Sequence, residues 1–174
     1  MATSLRELTL VSKHVPDCCA GLSRPLIDAL VKQLPDCPAL ALSVGCGSGL
    51  LESMVLDAAG GNINLRGVEV ASCVNIYLPE DRFWPVQDTR CLHDDAMLAS
   101  ALMFVYPRQA KLVCDYIEEC RTGALETLLW LGPKCDWPEY SSLLQKAFSK
   151  VEIVGGNAVA DNEILAVAAE PLPG

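Results

Sequence analysis

The sequence predicts an α/β fold, a three-layer sandwich in which a seven-stranded, mainly parallel sheet with a C-terminal antiparallel hairpin carries helices on both faces. Short apolar runs that are typical of buried strands alternate with apolar stripes at helical spacing. The 174 residues, 51% of them hydrophobic, suffice for one well-filled core. The last two apolar runs are joined by a loop too short to contain a helix, which predicts the hairpin.

The N-terminal part predicts a helix ahead of the sheet. Residues 1–38 are expected to form a helical segment packed on the core, and residues 39–174 a single domain. Ser23 is placed to cap a helix that begins near Pro25, because a serine before a proline is a common helix start. Pro35 and Pro38 end this helix and lead the chain into the first strand in an extended conformation.

The remaining elements follow in alternation. Strands are predicted over residues 39–44, 63–70, 83–86, 101–106, 124–131, 151–154 and 164–169. Helices are predicted over residues 50–58 and 110–120 and after Asp136, which can act as a cap, and residues 72–78 predict a short helix or loop. Because strands and helices alternate for most of the length, the sheet is expected to be mainly parallel.

Composition excludes several classes of partner and site. Thirteen Lys and Arg against 22 Asp and Glu give a net charge of −9, so nucleic acids and anionic membranes are not expected partners. No apolar run approaches the roughly 18 residues of a membrane-spanning helix. Nine cysteines occur without a closely spaced pair of metal-ligand type, so no metal site is expected. Mostly buried free thiols indicate a reducing, cytoplasmic location.

A glycine-rich turn carries the functional signal. It follows the first predicted strand as Ser43-Val44-Gly45-Cys46-Gly47-Ser48-Gly49 and precedes a helix. Glycines let a ligand approach the backbone, and the helix start directs free N–H groups at it. Glu69 ends the next strand, twenty residues after Gly49, where an acid can accept hydrogen bonds from a ribose. The alternatives are a turn without a ligand and a solvated strand end.

The spacing of the glycines does not match two common nucleotide-binding motifs. The third small residue of a dinucleotide fingerprint would fall at Leu50, which is not small, and no GKS or GKT sequence of a phosphate-binding P-loop is present. The glycine loop together with Glu69 resembles the class I S-adenosylmethionine-dependent methyltransferases. The resemblance covers roughly residues 39–169 and implies a Rossmann-like domain of methyltransferase type.

The resemblance implies specific roles. It implies that the loop contacts the methionine part of the cofactor, the end of the second strand its ribose and the turn after the third strand its adenine. The residues at these places are Ser43, Gly45, Cys46, Gly47 and Gly49 for the methionine part, Glu69 and Val70 for the ribose, and Asp88 and Thr89 for the adenine. Tyr106, at the end of the fourth strand, is expected to face the methyl donor and the acceptor as a catalytic and substrate residue. Trp137 lies where acceptors bind in this fold and is expected either to stack on the substrate or to pack in the core.

Two positions depart from the family pattern. Ser43 stands where the family usually has an acid, so the donor's ammonium group would need water or a nearby acid as its partner. The Tyr106-Pro107-Arg108 sequence lacks the motif of the N-methylating branch, so methylation of adenine or amide nitrogens is not expected. His93 is a candidate base by its ordinary pKa, but its position favours a solvated helix start.

These observations predict an S-adenosylmethionine-dependent methyltransferase acting on a small-molecule acceptor, with O- or S-methylation favoured. Methyl transfer from a sulfonium is an in-line displacement that depends mainly on alignment, so the lack of an obvious acid–base pair is compatible with it. The alternative from another class is a catalytically silent, methyltransferase-like binding or regulatory partner. A Rossmann-like nucleotide binder is a third interpretation, and a homodimer that completes the pocket is compatible with so short a chain.

Overall fold

The computed structural model describes residues 5–71 and 75–174, which form a seven-stranded sheet between two helical layers. The strands of the sheet are β3 (Leu40–Val44), β4 (Asn64–Val70), β5 (Phe83–Val86), β6 (Ala99–Val105), β7 (Thr127–Pro133), β8 (Phe148–Ile153) and β9 (Glu163–Pro171). The helices are α1 (Arg24–Gln33), α2 (Leu50–Ala59), α3 (Ala110–Arg121) and α4 (Trp137–Ala147). Two short strands, β1 (Lys13–Val15) and β2 (Cys18–Leu22), form a separate hairpin.

The sheet has the order β5-β4-β3-β6-β7-β9-β8. The five strands from β5 to β7 are parallel, and β9 runs antiparallel to both of its neighbours. The predicted mainly parallel sheet with a terminal antiparallel hairpin is therefore confirmed. The chain builds outward from β3 to β5 and then crosses to β6 on the other side, which makes the carboxyl ends of β3 and β6 a topological switch point where α/β folds bind ligands.

The two faces of the sheet are buried by different helices. Ala101 and Met103 of β6 belong to a core cluster that contains residues of α1 and α2, whereas Leu102 and Phe104 belong to one that contains residues of α3 and α4. Successive side chains of a strand point to opposite faces, so both faces are apolar only if the sequence run is continuous. This explains why the central strands lack polar alternation.

The start of α1 agrees with the sequence prediction in detail. The Leu26 backbone N–H donates to Ser23 Oγ at 3.2 Å, which makes Ser23 a true N-cap, and a proline occupies the first turn. Asp136 occupies the N-cap position of α4, but its side chain makes no capping hydrogen bond. Part of the predicted short helix or loop at 72–78 lies outside the described residues.

The segment ahead of α1 differs from the expected helical segment. Residues 13–22 form the β1–β2 hairpin, with Lys13 opposite Leu22 and Val15 opposite Cys18. Pro16 and Asp17 lie between the two strands and are residue types that favour turns. Gly21 leaves no room for a side chain, because a Cβ there would lie 2.2 Å from Ser12 Oγ. In the described part of the chain, no helix has the length and apolar character needed to cross a membrane.

Candidate active site

The glycine turn has the conformation that its sequence predicts. Gly45, Gly47 and Gly49 have φ angles of 79°, 56° and 80°, a left-handed region that glycine adopts without strain. The turn is fixed to the neighbouring strand because the Gly45 N–H donates to the Val68 carbonyl at 2.8 Å. Apart from adjoining residues, no described atom lies within 4 Å of the position that a Cβ would take at Gly45 or Gly47. The described residues therefore leave the side-chain positions of these two glycines unfilled.

Glu69 lies directly against this turn. Its Oε2 accepts a hydrogen bond from the Gly47 N–H at 3.0 Å, and its Oε1 accepts one from the Val70 N–H at 2.9 Å. A carboxylate has about four acceptor positions, so two remain for hydroxyl donors. The side chain is half-buried at the carboxyl end of β4. The structure thus brings together the glycine turn and the acid for which the sequence predicted a ribose-binding role.

Part of the turn is covered by the segment after β4. The Ile76 N–H donates to the Ser48 carbonyl at 3.0 Å, which holds this segment over the turn. A Cβ at Gly49 would lie 2.7 Å from Leu78 Cγ, and one at Gly67 would lie 2.5 Å from Leu78 Cδ1. The buried Leu78 side chain therefore fills the space above these two glycines. A ligand must lie over the Gly45–Gly47 part of the turn.

Ser43 is paired with an acid that the sequence analysis missed. The Ser43 hydroxyl donates to Glu52 Oε1 at 2.5 Å, and the two residues are only 1% and 2% exposed. The other carboxyl oxygen, Oε2, has no hydrogen-bond partner among the described residues. Burial raises the pKa of Glu52 to about 7, although the hydrogen bond from Ser43 acts in the opposite direction. The available sequence signal was an acid adjoining the apolar stripe of the predicted helix, three residues after Gly49.

Tyr106 is held in place by a second buried acid, Glu163. Tyr106 follows β6 with a φ of 51°, an unusual value for a residue with a side chain. Its hydroxyl donates to Glu163 Oε1 at 2.7 Å, and the same oxygen accepts from the Gly21 N–H at 2.9 Å. Burial and the bond to Glu163 raise the pKa of the Tyr106 phenol above its usual range. The phenol is therefore a fixed hydrogen-bond donor and not a base.

A cavity of about 310 Å³ opens beside Tyr106. Its wall combines charged and aromatic groups: Cys19, Tyr106, Arg108, Asp136, Glu139 and Tyr140. The Tyr140 hydroxyl donates to the Pro107 carbonyl at 2.9 Å, which fixes the backbone after Tyr106. This cavity lies at the carboxyl ends of β6 and β7, on the far side of the switch point from Glu69. It is the candidate acceptor site.

The N-terminal hairpin covers the space between the two parts of the crevice. The Ser48 hydroxyl donates to the Asp17 carbonyl at 2.8 Å, and the Tyr77 hydroxyl donates to Asp17 Oδ2 at 2.7 Å. The Cys18 thiol, which is influenced by the charges of Glu52 and Glu163, has its pKa raised to about 12 by burial. Cys18 is therefore an uncharged thiol packed against the apolar core.

The remaining predicted residues lie away from these contacts. Asp88 and Thr89 are exposed after β5, and the pKa of Asp88 is lowered because its carboxylate accepts a hydrogen bond from the Arg90 backbone N–H. The His93 ring stacks on Trp84 of β5 with ring centroids 4.3 Å apart, and β5 is three positions from β6 in the sheet. The Trp137 ring packs on Trp130 at 5.2 Å. The adenine role of Asp88 and Thr89 and the substrate role of Trp137 stay predictions.

The described residues fit the cofactor that the resemblance implies. Beyond the adjoining residues, no described atom fills the positions that a Cβ would take at Gly45 and Gly47, Glu69 retains acceptor capacity for hydroxyls, and Glu52 has a buried oxygen without a partner among the described residues. These are the acceptors that a ribose and an ammonium group require. Within residues 5–71 and 75–174, no group of three or more His, Cys, Asp or Glu side chains is arranged to hold a metal ion.

Comparison with known proteins identifies the fold. No family model and no curated protein matches this sequence. A SAM-dependent O-methyltransferase from Thermotoga maritima is similar with a TM-score of 0.65 at 16% identity, over 99% of this chain and 73% of that one. A precorrin-6y C5,15-methyltransferase from Geobacter metallireducens has a TM-score of 0.58 at 10% identity, over 87% and 92%.

A dimethyladenosine transferase from Plasmodium falciparum has a TM-score of 0.54 at 10% identity; the similarity covers 84% of this chain and 61% of that one, less than two thirds of its length. The chain therefore has the Rossmann-like fold of the class I S-adenosylmethionine-dependent methyltransferases. The names of these three proteins refer to different acceptors, so the shared fold does not select the acceptor.

Proposed function

We propose that this protein binds S-adenosylmethionine in the crevice and transfers its methyl group to a small-molecule acceptor, at oxygen or sulfur. One observation carries the proposal: the Gly47 N–H of the glycine turn donates to the Glu69 carboxylate beside the switch point of the sheet, and that carboxylate retains two acceptor positions. A turn without side chains at Gly45 and Gly47 and a carboxylate on the neighbouring strand together suit an adenosine-containing ligand, because the ribose carries hydroxyl donors.

The residues of the crevice have different proposed roles, which follow from their positions. Gly45 and Gly47 would hold the methionine part against the backbone, and Glu69 would accept hydrogen bonds from the ribose hydroxyls. The bound donor would supply a methyl group that its sulfonium already activates. Tyr106 lines the 310 Å³ cavity, and its hydroxyl oxygen, which donates its proton to Glu163, orients an acceptor by accepting a hydrogen bond from the acceptor's O–H or S–H group. Alignment of this kind accounts for much of the rate of a displacement reaction.

The cavity favours acceptors that give up a proton easily. Asp136 and Glu139 are the carboxylates in its wall and can accept a proton from a phenol or thiol as the methyl group is transferred. The raised pKa of Tyr106 argues against the phenol in that role. An aliphatic alcohol would need a stronger base, which supports acidic oxygen or sulfur nucleophiles of a size that fits about 310 Å³.

A catalytically silent binding protein is the second candidate. Two observations favour it: Leu78 fills the space above Gly49 and Gly67, and the Tyr106 hydroxyl is already committed to Glu163. A crevice with these features can bind a nucleoside through Gly47 and Glu69 without presenting a productive acceptor site. The two candidates differ in turnover and share cofactor binding.

Calorimetric titration with S-adenosylmethionine, S-adenosylhomocysteine and NAD tests the shared part. We expect the first two to bind and NAD not to bind. Glu69→Gln should weaken S-adenosylhomocysteine binding by about 10- to 100-fold, because it removes charge-assisted hydrogen bonds. The control, Glu119→Gln, makes the same chemical change on an exposed face of α3 and should leave affinity unchanged. Absence of binding by the wild-type protein overturns both candidates.

Release of S-adenosylhomocysteine in the presence of small phenols and thiols then separates the two. Turnover supports the enzyme, and we expect Tyr106→Phe to lower it while leaving donor affinity within about twofold of wild type, because the lost hydroxyl lines the cavity on the acceptor side. Tight cofactor binding without turnover across the panel supports the silent binding protein and contradicts the enzymatic proposal.

A further inference from the structure

Glu52 is a buried acid whose hydrogen-bonding capacity is only half used. It is the third residue of α2, 2% exposed, and its Oε1 accepts from the Ser43 hydroxyl at 2.5 Å. Its Oε2 is buried and has no hydrogen-bond partner among the described residues. Buried carboxyl oxygens are normally paired, so an unpaired one requires an explanation. One explanation is that a ligand group donates a hydrogen bond to this oxygen.

The surroundings of Glu52 favour its neutral form. Glu69 on β4 places a second negative charge nearby, and desolvation acts in the same direction. Cys18 on β2, which responds to the charge of Glu52, is an uncharged thiol. Ser43 on β3 contributes a neutral hydroxyl, and no described Lys or Arg forms an ion pair with Glu52. The described residues therefore supply no cation for this carboxyl group.

The position of Glu52 indicates which cation would fit. Ser43 stands two residues before Gly45, at the foot of the glycine turn, and Glu52 comes three residues after Gly49. The pair therefore adjoins the part of the turn that would hold the amino-acid end of the donor. A primary ammonium has three N–H donors and a positive charge, which matches a carboxyl group with an unpaired oxygen.

We propose that Glu52, supported by Ser43, binds the α-ammonium group of the donor and releases a proton to solvent when it does so. This inference rests on the proposed function. The balance is simple: the ammonium keeps its protons, the neutral Glu52 carboxyl loses one, and an ion pair forms in the crevice. Because the Glu52 side chain is 2% exposed, the ammonium must displace part of its cover, and Cys18 of β2 is the neighbouring thiol on which the Glu52 charge acts.

Two nucleosides separate this site from the rest of the crevice. S-adenosylhomocysteine carries the ammonium group, whereas methylthioadenosine has the same adenosine and sulfur without the amino-acid part. Glu52→Gln should weaken binding of the first by about tenfold or more and leave the second unchanged. Retained methylthioadenosine binding also shows that the variant is folded. Glu119→Gln serves as the control for a lost surface charge.

Proton release is measured by repeating the titration at pH 6 in buffers of different ionisation enthalpy. With a pKa of about 7, Glu52 is about 90% protonated at pH 6, so wild type should release about 0.9 proton per S-adenosylhomocysteine and none with methylthioadenosine. Glu52→Gln should release none with either ligand.

The outcomes distinguish the two proposals. If wild type binds neither nucleoside, both the proposed function and this inference are overturned. If wild type binds S-adenosylhomocysteine without releasing a proton, or if Glu52→Gln binds it as tightly as wild type, this inference alone is overturned. If Glu52→Gln loses both ligands through misfolding, the wild-type proton count decides.

Discussion

Glu52→Gln should change how the stability of the protein depends on pH. Burial raises the pKa of Glu52 from 4.5 to about 7, so the folded state holds this proton more tightly than the unfolded state. Between pH 4.5 and pH 7, Glu52 is mostly ionised in the unfolded state and mostly neutral in the folded state. The contribution of Glu52 to stability is therefore fully present below pH 4.5 and is lost as the pH rises through 7. Glutamine does not titrate and lacks this loss.

The magnitude follows from the size of the shift. A change from 4.5 to about 7, at about 1.4 kcal/mol per pH unit, corresponds to about 3 kcal/mol of unfolding free energy. The glutamine amide in the same pocket hydrogen-bonds differently with Ser43, which lowers the unfolding free energy of the variant by about 1 kcal/mol at every pH. We therefore expect the variant to be less stable than, or equal to, wild type at pH 5 and more stable above pH 7.

Urea denaturation at half-unit steps from pH 4.5 to 8.5 measures this difference, because subtraction removes the titration of all other groups. Glu119→Gln provides the matched exposed change and should differ from wild type by a constant. A wild-type minus Glu52→Gln difference that does not vary with pH refutes the reasoning: either the carboxyl is hydrated, or a basic group compensates for its charge.

Two further substitutions test contacts around the crevice by the same denaturation assay. Gly67→Ala should lower the unfolding free energy by about 1–3 kcal/mol, because its Cβ would lie 2.5 Å from Leu78 Cδ1 and 2.6 Å from Cys46 Sγ. A smaller loss of stability in a Leu78→Ala background would show that the overlap with Leu78 is the cause. An unchanged denaturation midpoint for Gly67→Ala would contradict this prediction. Tyr106→Phe should lower the unfolding free energy by about 1–3 kcal/mol, because the buried Glu163 side chain loses a hydrogen-bond donor. An unchanged unfolding free energy would show that the 2.7 Å contact contributes nothing to stability.

The parallel sheet was predictable because its strands carry a local signal. Runs such as Ala101–Met103 are apolar on both faces, and caps such as Ser23 mark a helix start without reference to distant residues. The strand ends were less well placed, since β6 begins at Ala99 and β9 extends to Pro171. Strand ends depend on pairing with neighbouring strands, which the sequence of one segment does not contain.

The β1–β2 hairpin was missed because its strands are only three and five residues long and show weak alternation. Pro16 and Asp17 offered a turn signal, but the stability of the hairpin depends on contacts with residues far along the chain. The hydrogen bond from Gly21 to Glu163 is one of these, and Ser48 to Asp17 is another. Such contacts appear only once the fold is known.

The candidate site was predicted in part for the same reason. Gly45, Gly47 and Glu69 lie on adjacent strands joined by one helix, so their proximity follows from the order of the elements. Glu52 and Glu163 were not predicted, since nothing in their immediate sequence shows that they are buried. Their environment is set by packing against Ser43 and Tyr106, which the spacing of the sequence does not reveal.

The bond between Gly21 and Glu163 spans 142 residues and has a consequence for protein synthesis. During translation, the strand that carries Gly21 leaves the ribosome long before its anchor has been made. Until Glu163 emerges, the Tyr106 hydroxyl also lacks its acceptor. A nascent chain can already assemble the glycine turn against Glu69, but the acceptor side of the crevice closes only after Glu163 has been made, as expected for contacts of high sequence separation.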